Sequence, residues 1–148
     1  MLLVIDDLRE IARCCQEGEP MDERLTRWLG RALERFLTQD SRTIEEAMGL
    51  QAPQGGVPWH LEEALRRRDA ALRELAAWFC DGQTVSAQAK QIHSWSVRYA
   101  AATWRFDRER EDMPAHYGGT EKALLWRAFK SGARMPICER QLRSILAH

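Results

Sequence analysis

The sequence predicts an all-α protein, and three observations carry the prediction. Apolar residues recur at spacings of three and four through most of the 148 residues, the mark of amphipathic helices. No run of β-branched residues alternates with polar ones, so strands find no pattern to build on. Hydrophobic residues make up 45% of the chain and charged ones 30%, with nine Gly and five Pro, a balance that suits a packed core and excludes low-complexity and wholly disordered chains. A chain of this length fits a single domain that buries about two-thirds of the surface it exposes when unfolded. The expected architecture is a compact bundle of six or seven helices with a long central one.

The first helix is expected over about residues 2–16, with Ile5, Leu8, Ile11, Ala12 and Cys15 on one stripe, ending near Gly18 and Pro20. The second, over about 22–38, offers Leu25, Leu29, Ala32, Leu33 and Phe36 to a core, with Trp28 at the edge, and pairs with the first as an antiparallel hairpin. Thr43 and Glu46 have capping-box spacing for a short third helix stopped by Gly49. Residues 51–58 place two prolines around Gly55-Gly56 and read as a linker between an acidic hairpin (1–50) and a main bundle (59–148) within the one domain.

Trp59 to Cys80 forms an amphipathic pattern with Leu61, Ala64, Leu65, Leu72, Leu75, Ala76 and Phe79 on its stripe, and Asp81-Gly82 ends it. The longest helix is expected over about 86–112, where Val85, Ile92, Tyr99 and Phe106 follow at sevens and Val97, Ala101 and Trp104 line a second side. Apolar groups on two sides predict a central helix touched by several others. Met113-Pro114 stops it, His116 to Gly119 is a loop, and Thr120 caps a helix burying Leu124, Leu125, Ala128 and Phe129. Pro136 is expected to open a last helix with Cys138, Leu142, Ile145 and Leu146 inward.

The chain has 22 basic and 22 acidic side chains, but they are not evenly spread. Residues 1–83 hold 11 basic against 16 acidic, a net of −5, and residues 84–148 hold 11 against 6, a net of +5. Such polarity suits an acidic portion packed on a basic one, or a basic C-terminal surface for an acidic partner such as nucleic acid. Met1 to Ile5 runs straight into Asp6 and Asp7, with neither a basic region nor an apolar run long enough for a secretory signal or a membrane span. A cytoplasmic protein without membrane contact is expected, with Cys14, Cys15, Cys80 and Cys138 as free thiols.

Residues 124–146 carry the most suggestive pattern. A small residue in one helix (Ala128), a turn glycine four later (Gly132) and an apolar position early in the next helix (Cys138) stand in order. The stretch resembles the helix-turn-helix family of DNA-binding motifs, with one departure: the further apolar contact falls at Leu142 instead of Gln141, which requires a longer turn. The resemblance implies that Arg140, Gln141, Arg143 and Ser144 project from the second helix toward DNA, where Arg and Gln read guanine and adenine edges. It also implies a homodimer matched to two half-sites. The alternative for the same residues is an ordinary helical hairpin with a solvated face.

Arg24, Arg27, Arg31 and Arg35 form a basic row at helical spacing on the second helix, either a secondary phosphate contact or a solvated face neutralised by nearby acids. Arg68 falls on the apolar stripe of its helix, so either its stem lies on apolar surface with the guanidinium in water or it is buried against a carboxylate. The mixed-charge run Arg105 to Asp112 reads as a solvated helix end. Of the six tryptophans, Trp78 lies off its helix's stripe and is the candidate interface residue.

Enzymatic patterns are thin. His60 and Glu63 stand in the wrong order for a carboxylate-bridged metal bundle, and Gly118 to Lys122 lacks the phosphate-loop pattern. No cofactor is expected. The residues point to a non-enzymatic nucleic-acid-binding or regulatory protein; a protein-interaction module without nucleic acid is the alternative, and an enzyme of unassigned class comes third.

Overall fold

The computed structural model describes residues 2–148, with Leu2 described in its backbone alone. Every regular element among them is helical. The chain divides into two compact units, one ending at Trp59 and the other running His60–His148.

The first unit holds α1 (Leu2–Glu17), α2 (Glu23–Leu37) and α3 (Ile44–Ala47). Ile5, Ile11, Cys14, Leu25, Ala32, Ala47 and Leu50 are its buried apolar residues. On α1 the inward thiol is Cys14, while Cys15 and Ala12 are exposed; with adjacent side chains about 100° apart, the stripe turns one residue earlier than the expected Cys15. Arg13 gathers Glu10, Glu17 and Glu19 around the end of α1. The Asp22 carboxylate caps α2 by accepting from the backbone N–H of Arg24 at 2.8 Å. Thr43 caps α3 by accepting from Glu46 N–H at 3.1 Å, as the spacing predicts, whereas the Glu46 carboxylate reaches back to the Arg42 N–H at 2.7 Å, one residue before the Thr43 N–H that a capping box engages. Residues 50–58 contain no helix. Gly55 there adopts φ +80° and Gly56 N–H donates to Pro53 O at 2.7 Å, a tight turn that needs glycine at the left-handed position.

The second unit is built on α4 (Trp59–Phe79, counted from its second residue), α5 (Val85–Tyr99), α7 (Glu121–Lys130) and α8 (Glu139–Leu146). Leu72, Leu75, Cys80, Ile92, Tyr99, Leu125, Ala128 and Leu142 form its core. Both α7 and α8 pack on α5, which is the central helix. At the surface of the unit Arg73 of α4 donates to Ile145 O at 2.9 Å, and Glu74 pairs with Arg127 at 2.7 Å.

Two turns of α4 depart from the expected stripe. Leu61 and Leu65 are exposed, and the buried side chain there is Glu63, held by Arg66 and Arg67 at 3.1 and 3.0 Å. A buried carboxylate is tolerable only with such partners.

The central helix also departs from expectation, and the cause is local. After α5 the chain makes a π turn over Ala100–Trp104 and a last α turn, α6 (Arg105–Asp107), before leaving the helix. A π turn takes one residue more than an α turn. Residues beyond it therefore rotate by about 100° relative to an uninterrupted helix. Phe106, seven after Tyr99, is consequently 61% exposed, and Asp107 takes the inward position at 3%. The expected extension to residue 112 is absent, because Asp107 is anchored inside: its Oδ2 accepts from Tyr99 at 2.7 Å and from Tyr117 at 2.9 Å. Residues 105–112 thus include a buried acid, not solely a solvated helix end. Tyr99, Trp104 and Phe129 meet one another edge-on or tilted, with centroids 5.1 to 6.3 Å apart, spacings typical of favourable aromatic pairs.

Candidate nucleic-acid interface

The C-terminal helix is short and strongly amphipathic, and this decides what it presents. Leu142 is buried and Ile145 and Leu146 are half-buried against the core, whereas Arg140, Gln141, Arg143 and Ser144 are all exposed. Arg140 and Arg143, three apart, share one flank of α8; Gln141 and Ser144 share the next. The four residues expected from sequence to project from this helix do so.

The connection before it differs from the expectation. Helix α7 stops at Lys130, Gly132 takes φ +83°, and α8 begins only at Glu139. A helix-turn-helix joins its helices by a turn of about 3–4 residues, and the intervening stretch here runs from Ser131 through Cys138. Pro136 does not open α8, and Cys138 is its exposed N-cap residue, not an inward contact. The helix start is secured instead by Gln141, whose Oε1 accepts from the Ile137 N–H at 2.9 Å.

The long connection folds back against α4. Arg68 donates through Nη1 to Arg134 O at 2.5 Å and through Nε and Nη2 to Asp69 Oδ1 at 2.8 and 2.6 Å. Its side chain is only 12% exposed, so of the two readings of this misplaced arginine, the one buried against a carboxylate is observed. Between Arg68, the 134–137 segment and α8 lies a cleft of about 370 Å³, with Met135, Pro136 and Ile145 among its apolar walls and Arg134, Gln141 and Ser144 among its polar ones. The sequence marks Arg68 as odd but gives no signal that it meets a segment 66 residues away.

Charge pairing differs sharply along the chain. Arg9, Arg13, Arg24, Arg27, Arg66, Arg67 and Arg68 all face carboxylates. Among the 11 basic residues of 84–148 only Arg108, Arg110 and Arg127 do so within the described residues. Arg134, Arg140 and Arg143 belong to the uncompensated set, and Arg134 lines the cleft.

The basic row on α2 is exposed along its length but half of it is engaged. Arg24 grips Asp7 with two hydrogen bonds of 2.7 and 3.0 Å, which holds that carboxyl below its usual range. Arg27 pairs with Glu23, and Arg31 donates to the Arg27 carbonyl at 3.4 Å. Arg35 has no carboxylate partner among the described residues. Trp78 is 73% exposed on α4.

Burial raises the Cys80 thiol above its ordinary range, and burial followed by Asp107 does the same for the Tyr99 phenol. Among the described residues no three His, Cys, Asp or Glu side chains converge as a metal-ligand set, and no helix is long and apolar enough to cross a membrane. No protein-family model, curated protein or solved structure matches this chain.

Proposed function

We propose that the protein is a non-enzymatic nucleic-acid-binding protein, DNA included, whose contact surface is the C-terminal helix with the segment that leads into it. The observation that carries this reading is the pair Arg140 and Arg143, exposed on one flank of α8 and unmatched by a carboxylate among the described residues, within a C-terminal portion of net charge +5. Cations left unpaired on a surface gain most from a polyanion, because each phosphate they neutralise releases condensed counterions. The longer connection before α8 changes the mode expected. The connection Ser131–Cys138 is longer than a helix-turn-helix turn, so this reading rests on phosphate contacts from Arg140 and Arg143 and not on major-groove readout. Arg31 and Arg35 of α2 are the members of the N-terminal row left to contribute, since Arg24 and Arg27 are occupied. The work is cytoplasmic in this reading, and the protein acts as a homodimer.

A salt-dependent titration tests it. Binding of a labelled oligonucleotide should weaken steeply between 50 and 200 mM salt, and Arg140→Ala with Arg143→Ala should lower the salt slope by about 2, roughly one per lost phosphate contact. Absence of binding to DNA and RNA at low salt rejects the reading. The specific observation favouring a second one, a protein-interaction module, is the exposure of Trp78, since large exposed aromatic rings are enriched where proteins meet.

A further inference from the structure

The cleft beside α8 has features that a phosphate contact alone does not require. Arg68 is already matched by Asp69, and three of its N–H groups are spent on Asp69 and the Arg134 carbonyl. Two further N–H groups remain, and the guanidinium, fixed in one plane by these bonds, belongs to a residue that lines the cleft. Gln141 is likewise fixed: with Oε1 engaged by the Ile137 N–H, its amide orientation is set and its NH₂ remains as a donor. Ser144, exposed and three residues on, adds a hydroxyl on the same flank. Met135, Pro136 and Ile145 supply apolar wall, and Arg134 stands at the cleft as an uncompensated cation.

We infer that this cleft receives an unpaired nucleobase, so that the ligand is a single strand and not a duplex. The inference rests on the nucleic-acid reading above and deepens it. A flat, charge-neutralised guanidinium is a stacking plate, donors of fixed direction suit the acceptor edge of a base, and a free arginine beside them suits the adjoining phosphate. The cleft is half-open, with a volume of about 370 Å³; a base inside a duplex enters it only by losing its stacking and pairing, whereas a single strand presents its bases already free.

Fluorescence anisotropy with one labelled 12-nucleotide sequence, as single-stranded DNA, single-stranded RNA and duplex DNA at equal salt, tests the inference on the full chain. At least one single strand should bind about tenfold or more tighter than the duplex. Gln141→Glu keeps an oxygen for the Ile137 N–H and hence the start of α8, but replaces the NH₂ donor with a carboxylate; it should weaken single-strand binding about tenfold and duplex binding far less. Ser144→Tyr, at an exposed site, should fill the cleft and weaken single-strand binding about fivefold, with unchanged circular dichroism. Duplex binding as tight as either strand, or single-strand binding indifferent to both variants, overturns the base-in-cleft inference while leaving the nucleic-acid reading in place. Failure of all three probes to bind overturns both.

Discussion

Tyr99 and Asp107 are eight residues apart yet face each other across a 2.7 Å hydrogen bond, because the π turn between them absorbs one residue. The same Asp107 oxygen accepts from Tyr117, so one carboxylate ties the end of the central helix to the segment before α7. Arg110 pairs with the other oxygen at 3.5 Å. Removing the Tyr99 hydroxyl leaves a buried acid short of a donor. Tyr99→Phe should therefore cost about 1–3 kcal/mol in urea unfolding, the usual range for a hydrogen bond to a charged group and its desolvation. Both phenols are held above their ordinary range, by burial first and by Asp107 second. A phenol raised in the folded state adds stability that is complete below the unfolded value of about 10 and is lost as pH climbs past it. The stability gap between wild type and Tyr99→Phe should accordingly be constant from pH 7 to 9 and shrink above pH 10. A gap that widens there would contradict the assignment.

Deleting Ala101, an exposed residue inside the π turn, should convert that turn to an ordinary α turn. Asp107 would then stand seven residues after Tyr99 and keep the inward position, with Phe106 still toward solvent. The deletion should therefore cost about 1 kcal/mol or less in urea unfolding. Asp107→Ala, by contrast, leaves two tyrosine hydroxyls without their acceptor; two unsatisfied groups at about 1–3 kcal/mol each predict a melting temperature at least about 10 °C lower for a unit of this size. A deletion as costly as Asp107→Ala would contradict the register argument.

The heptad-spaced run through Ile92 and Tyr99 also makes a prediction that needs no π turn. Ile92 has no exposed surface, whereas Glu109 is exposed and pairs with its neighbour Arg108. Ile92→Asp should cost several kcal/mol, about 3–5, through an unpaired buried charge. Glu109→Ala should stay within about 0.5 kcal/mol. Equal costs in thermal or urea unfolding would show that this helix is not the centre of its unit.

These cases show which parts of the molecule sequence can reveal. Helix identity follows from local periodicity, and so do single inward positions such as Leu25, Ile92 and Leu142, but not the whole stripes: Leu33 and Phe36 of α2 and Val97 of α5, expected to face a core, are exposed. Periodicity fails where one residue is inserted: the position of Phe106 depends on Asp107 finding Tyr117, a partner that belongs to another segment. It fails again at Cys14 and Cys15, where either thiol continues the stripe of α1 and tertiary packing chooses the first. The exposed side chains of α8 were legible because a short amphipathic helix has only one way to face a core. The cleft beside them was not, since it arises when Arg68 meets the Arg134 carbonyl, a contact that no spacing rule foresees.

Trp78 provides the test of assembly. It is the most exposed tryptophan, at 73%, close to the end of α4, whose neighbouring residues Leu75 and Ala76 are buried in the core of the second unit. A large ring left in water while its helix is otherwise well packed is where a two-fold contact would gain most, because aromatic anchors dominate interface energetics once desolvated. Light scattering at tens of micromolar should give a homodimer for the wild type and a monomer for Trp78→Glu, with the variant's helical content and melting temperature close to wild type, since the substituted side chain sits outside the core. A wild type already monomeric at that concentration removes Trp78 from any self-interface. An unfolded Trp78→Glu variant would mean that the ring contributes to folding despite its exposure.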